Sequence, residues 1–175
     1  FFNCPVNEDL ESLQADVAFL GIPYDWGTGF RPGSRFGPRD LRNYSMRLGA
    51  RGTATGLAHW DPTSGKHYLQ GVRGVDVGDV DMVMYDYAQN SRNIRDCVRA
   101  ILDRGALPML IGGDHSVTFP IVEAFDRFET LDIVHFDAHL DYIDHIEGVR
   151  HTNGSPFRRA AELPFVRHMS HLGIR

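Results

Sequence analysis

Leu131-Asp132-Ile133-Val134-His135-Phe136-Asp137-Ala138-His139-Leu140-Asp141 is the stretch on which the fold turns. Leu131 to Phe136 is a short apolar, β-rich run, and it ends in Asp-x-His-x-Asp. Successive side chains of an extended chain leave opposite faces, so Asp137, His139 and Asp141 share one face while Ala138 and Leu140 take the other. His135 is assigned to the Ala138 face, as a satisfied buried histidine rather than a ligand. A second apolar run, Leu107 to Ile111, ends in Gly112-Gly113-Asp114-His115-Ser116. Two strand ends that finish in metal-capable residues point to a site at one edge of a parallel sheet, beyond the carboxyl ends of its strands.

Outward from these motifs, strand and helix alternate. Asp16 to Pro23 reads as a first buried strand stopped by proline, and Tyr24 to Pro38 as a long Gly/Pro loop. Pro38 opens a helix, which tolerates proline in its first turn. Residues 50–70 show no clear period. Gly74 to Asp81 reads as a short strand running into a loop. Ile94, Val98, Ile101 and Leu102 recur at helical spacing within Tyr87–Arg104, which Gly105 ends. Ser116 to Phe125 reads as a helix, and His171 to Arg175 as a strand that begins where the sequence stops. The expected class is α/β, a three-layer α/β/α arrangement around a mainly parallel sheet.

The bulk numbers exclude several classes. A chain of 175 residues with 42% hydrophobic and 23% charged residues is that of a soluble globular domain. A formal net charge of −5 argues against a nucleic-acid surface. The arginines between Arg31 and Arg39 are laced with glycine and proline, which reads as an ordered loop. No apolar run reaches the length of a membrane span. Cys4 and Cys97 have no CxxC spacing and read as reduced thiols of a cytoplasmic protein.

The ligand types narrow the chemistry. His115, Asp137, His139 and Asp141 are nitrogen and oxygen donors without thiolate, a set suited to Mn²⁺, Fe²⁺, Ni²⁺ or Zn²⁺ rather than to a closed structural zinc. At about 3.3 Å per residue, Asp137 and Asp141 would lie about 13 Å apart in an extended chain. Metal–ligand bonds of about 2.0–2.2 Å cannot span that separation. Either the chain bends after Asp137, or two ions about 3.5–4 Å apart share the ligands. Asp76-x-x-Asp79-x-Asp81 is acidic too, but without histidine it reads as a turn or cap. His59, His67, His168 and His171 carry no motif and read as surface or packing residues.

Gly112–Ser116 and Asp137–Asp141 resemble the first two metal motifs of the ureohydrolases, the arginase and agmatinase family. Gly21-Ile22-Pro23-Tyr24-Asp25-Trp26-Gly27-Thr28 and Arg31–Pro38 are similar to the N-terminal signature of its agmatinase branch. Val75–Val80 and Gly154–Ala160 match in order and spacing. The resemblance runs from Asp16 onward. It implies two metal ions, usually manganese, with His115 and Asp141 on one, His139 on the other and Asp137 bridging; the same donor set accepts nickel. A metal-bridging hydroxide would attack the carbon of a small guanidino substrate, releasing urea and an amine.

Two departures from the family pattern shape the expectations. The family's third metal motif, an Asp-x-Asp pair followed by Asp-Pro, is absent, so residues 1–175 are expected to be the N-terminal part of a single domain with four of six ligands. Alone they are expected to bind metal weakly and lack activity. Relatives carry a proton-transferring histidine where this chain has Asn153; either His151 takes that role, which is the favoured expectation, or the substrate differs from agmatine, or the subunit is impaired. The resemblance further implies a homo-oligomer, trimer or hexamer; charge and the lack of a long apolar run lead us to expect no nucleic-acid or membrane partner. The competing reading is a catalytically silent or regulatory subunit of a hetero-oligomer. A metal deacetylase is a weaker third, against which the Trp26–Pro38 signature speaks.

Overall fold

Val17-Ala18-Phe19-Leu20-Gly21-Ile22 forms the central strand because both of its faces are apolar, as a parallel strand covered on two sides requires. In the computed structural model, residues 1–47 and 57–175 are described. In chain order the elements are β1 (Val17–Ile22), α1 (Gly37–Ser45), β2 (His59–Asp61), β3 (Lys66–Tyr68), β4 (Gly74–Asp79), α2 (Tyr87–Asp103), β5 (Leu107–Gly112), α3 (Thr118–Glu123), β6 (Leu131–Phe136), α4 (Pro156–Ala160) and β7 (Val166–Leu172). β1 pairs in parallel with β4 on one side and β5 on the other. β6 and β7 form a second parallel pair. Among the described residues these two pieces share no ladder. This is the expected α/β class.

Alternation along β1 sorts its neighbours. Ala18, Leu20 and Ile22 join Ile94, Val98 and Ile101 of α2 in one buried cluster. Each fully buried side chain of this size contributes about 1.5–3 kcal/mol. On the opposite face Gly21 lets α1 approach, since a Cβ there would lie 2.9 Å from Pro38 Cβ and 1.9 Å from Asp79 Oδ1. α2 starts where the Asp86 side chain accepts the Gln89 N–H at 2.9 Å. It stops before Gly105, whose φ of +72° suits glycine.

Three expectations are revised. Residues 59–68 hold an antiparallel hairpin, its turn secured by Asp61, which accepts the Thr63 N–H at 2.9 Å. Strands of three residues are too short to show alternation. The start of the stretch from residue 50 to 56 lies outside the described residues. The C-terminal strand is Val166–Leu172, so His171 lies near its end rather than its beginning. Its Arg, His and Ser residues hid it, and Gly173 at φ +98° follows. The expected helix from Ser116 is a 3₁₀ turn, His115–Val117, running into the shorter α3. No described helix is long and apolar enough to cross a membrane.

Candidate metal centre

The carboxyl end of β5 is laced onto that of β1. Gly113 N–H donates to Ile22 O at 3.0 Å and Asp114 N–H to Tyr24 O at 2.8 Å. A Cβ on Gly113 would meet Tyr24 O at 1.7 Å, so only glycine allows this approach. Asp114 then serves the scaffold. One oxygen accepts the Ser116 N–H at 2.8 Å, and the other accepts the Gly27 N–H at 2.8 Å. The Gly-rich loop is held a second time by buried Asp25, which accepts the Gly33 N–H and the Arg35 Nε–H, both at 2.6 Å. Burial pushes the Asp25 carboxyl up, but Arg35 and these N–H donors outweigh it and hold it below the usual range.

β6 ends at Phe136, and Asp137 N–H makes a further bond to Leu172 O at 3.0 Å. The chain then bends. Asp141 has φ +49°, a left-handed conformation uncommon outside glycine. The bend brings Asp141 Oδ2 to 2.5 Å from His115 Nδ1, and Asp137 Oδ2 lies 3.8 Å from the same nitrogen. His135 Nε2 is 3.5 Å from Asp137 Oδ2. His115, His135, Asp137 and Asp141 thus offer donor atoms all within 4.8 Å of one another. His139 stands outside that group, its side chain 77% exposed and its Nδ1 3.2 Å from the other Asp137 oxygen. Phe157 walls the group, with ring centroids 4.1 Å from His135 and 5.4 Å from His115.

His135 is the residue that sequence reasoning misplaced. The two-residue period that joins Asp137 to His139 also reaches back to His135, so these residues share a face and Ala138 lies opposite. His135 is buried, as expected, but its Nε2 has no hydrogen-bond partner. His171 also has more than a surface role, since its Nδ1 lies 2.9 Å from His135 Nδ1.

Electrostatically the group suits a cation. Among the described residues no arginine or lysine pairs with Asp137 or Asp141. The His139 N–H, accepted at 2.9 Å, is the main cause that holds the Asp137 carboxyl below its ordinary pKa. Burial, then His115, pushes His135 below the ordinary imidazole value, which favours the neutral ring. Two carboxylates and the His115 imidazole, with the His139 ring on the other oxygen of Asp137, are nitrogen and oxygen donors that fit a divalent ion of intermediate hardness.

His151 lies apart from the four. Its ring stacks on Tyr87 at 4.5 Å, and its Nδ1 is buried without a partner. Burial, then Arg159 and Arg150, lowers its pKa. With Trp26, Thr28, Val149 and Asn153 it lines a cavity of about 280 Å³. Asn153 N–H donates to Gly27 O at 3.0 Å, so this loop docks on the one Asp114 holds. The acidic run behaves as a structural feature: Asp76 and Asp79 both pair with Arg42 of α1, at 2.7 and 2.8 Å.

Parallel strands whose carboxyl ends carry this carboxylate–imidazole group define an α/β protein with a cluster able to hold a metal ion. The arginase family model matches residues 15–175, and the chain belongs to that family. It is 37% identical over 159 residues to the mitochondrial agmatinase of Gallus gallus, covering 90% of this chain and 44% of that protein. It is 35% identical over 174 residues to the mitochondrial guanidino acid hydrolase of Homo sapiens, covering 98% and 46%. Among solved structures, proclavaminate amidino hydrolase from Streptomyces clavuligerus aligns with a TM-score of 0.82 at 30% identity, over 100% of this chain and 56% of that one. The chain spans about half the length of the relatives it matches.

Proposed function

We propose that this chain is the N-terminal part of an arginase-fold domain that hydrolyses a small guanidino compound, agmatine or a guanidino acid, with two metal ions, manganese first and nickel as the alternative. The observation that carries the reading is the setting of Asp137. Its Oδ2 faces His115 and His135, at 3.8 and 3.5 Å, while its Oδ1 faces His139 at 3.2 Å. One carboxylate between two histidine sets is what a bridge between two ions needs. In this reading His115 and Asp141 hold one ion, His139 the other, Asp137 touches both, and the remaining ligands come from outside residues 1–175.

When bound, the ions supply a water acidic enough to act as a nucleophile near neutral pH. His151, neutral and beside the docked loop, is the group assigned to move the proton to the leaving amine. The same reading takes the protein to be a homo-oligomer, trimer or hexamer, in the cytoplasm.

Asn153 favours a second reading, a silent or regulatory subunit, because an asparagine cannot exchange protons. Urea release from agmatine, 4-guanidinobutanoate and 3-guanidinopropanoate, with Mn²⁺ or Ni²⁺ added, separates the two. Urea from at least one substrate is expected. Bound metal without urea from any of them selects the silent subunit. Full activity in His151→Ala removes the assignment of that residue.

A further inference from the structure

We propose that His135 is a positioning residue for Asp137: its Nε2–H holds the Asp137 carboxylate, and His171 of the neighbouring strand sets the tautomer that makes this possible. The inference rests on the reading of Asp137 as a metal ligand. His135 and His171 are register partners on β6 and β7, so their side chains leave the same face of the pair. Their Nδ1 atoms stand 2.9 Å apart. A bond between two imidazole nitrogens needs a proton on one and a lone pair on the other, which leaves two arrangements for the neutral rings.

The surroundings of His135 choose between them. Its Nε2 lies 3.5 Å from Asp137 Oδ2 and has no other partner. A lone pair aimed at a carboxylate would be repelled, whereas an N–H would be attracted. Nε2 therefore carries the proton, Nδ1 accepts, and His171 donates through its own Nδ1–H. The ring cannot readily swing away: His135 is 7% exposed, and Phe157 packs 4.1 Å from it and 5.3 Å from His171. A separation of 3.5 Å is longer than a formed N–H···O bond, so a small rotation of Asp137 closes it. The other carboxylate oxygen is already fixed by the His139 N–H at 2.9 Å. Held at both oxygens, Asp137 has little orientational freedom left to lose when a metal binds.

Two measurements test this. In the first, long-range ¹H–¹⁵N spectra of metal-free protein labelled at histidine should show His135 protonated at Nε2 and His171 at Nδ1. The opposite tautomers overturn the proposal, whatever the protein's activity. In the second, Mn²⁺ affinity is read from the free-ion EPR signal. His135→Ala should weaken binding about 10–100-fold, the usual effect of removing a group that orients a ligand. His135→Gln, whose amide N–H can reach toward Asp137, should recover most of that loss, and His171→Ala should fall between. Unchanged affinity in His135→Ala overturns the proposal, and so does equal loss in the Ala and Gln variants, which would make His135 a direct ligand. Asp137→Asn separates the two levels. If it too leaves affinity unchanged, the reading of Asp137 as a ligand fails; if it alone abolishes binding, only the positioning role of His135 fails.

Discussion

The β4–β1–β5 sheet and the β6–β7 pair are both parallel, yet one is closed and the other open. Every residue of β1 after Val17 is buried, whereas on β6 only His135 is. Val134 and Phe136 are 60% and 77% exposed, and Leu172 beside Phe136 is 48% exposed. The centre straddles the two regions, with His115 following β5 and Asp137 and Asp141 following β6. The closed region therefore holds most of the apolar cluster and the open one most of the ligand chemistry. They are tied at the site by His115 to Asp141 and by the Phe157 ring against His115 and His135, and beside it by His151 on Tyr87 and Asn153 N–H to Gly27 O.

This division can be broken. The largest effect is expected in the closed region: Leu20→Ala, at 1% exposure, should cost about 2–5 kcal/mol in denaturant unfolding. A smaller loss there would mean that the core is less closed than its burial indicates. Next comes the metal. With a divalent ion at a hundredfold over its dissociation constant, stability should rise by about 2.7 kcal/mol, and Asp137→Ala should abolish the rise while barely moving the metal-free melting temperature. A large metal-free loss in that variant would make the open region structural after all.

A pH experiment sharpens the boundary, where the loop of His151 meets Tyr87. Its folded pKa is depressed by burial, so below the ordinary value of about 6.5 the unfolded chain binds more protons than the folded one. Its contribution is full above that value and is lost as pH falls toward the folded one. His151→Phe, which keeps the stack on Tyr87, should lose less stability than wild type between pH 7.5 and 5. Equal slopes would show that His151 is not held neutral. The smallest effect belongs to the open face: Val134→Ser should change stability by no more than about 0.5 kcal/mol. A larger loss would reveal a covering partner on β6.

Elements with long, regular patterns were legible in the sequence. The apolar run of β1 and the 3.6-residue period of α2 were readable because each repeats a burial preference over many residues. The hairpin of β2 and β3 and the polar strand β7 were not, since three-residue strands and mixed polar strands leave no periodic signal. At the site, His115, Asp137 and Asp141 were readable from two strand-end motifs. The scaffold role of Asp114 was not, because its partner Gly27 is far away in sequence.

By itself, then, the sequence determined the α/β class, the two motifs, the donor chemistry and the family, all of which follow from local pattern and residue type. Tertiary structure decided which residues face one another. The bend at Ala138 and His139 closes a separation that an extended chain would keep wide, and His139 is left on the outer side of Asp137. The register of β6 against β7 places His171 on His135. Both depend on backbone geometry and on pairing between distant segments.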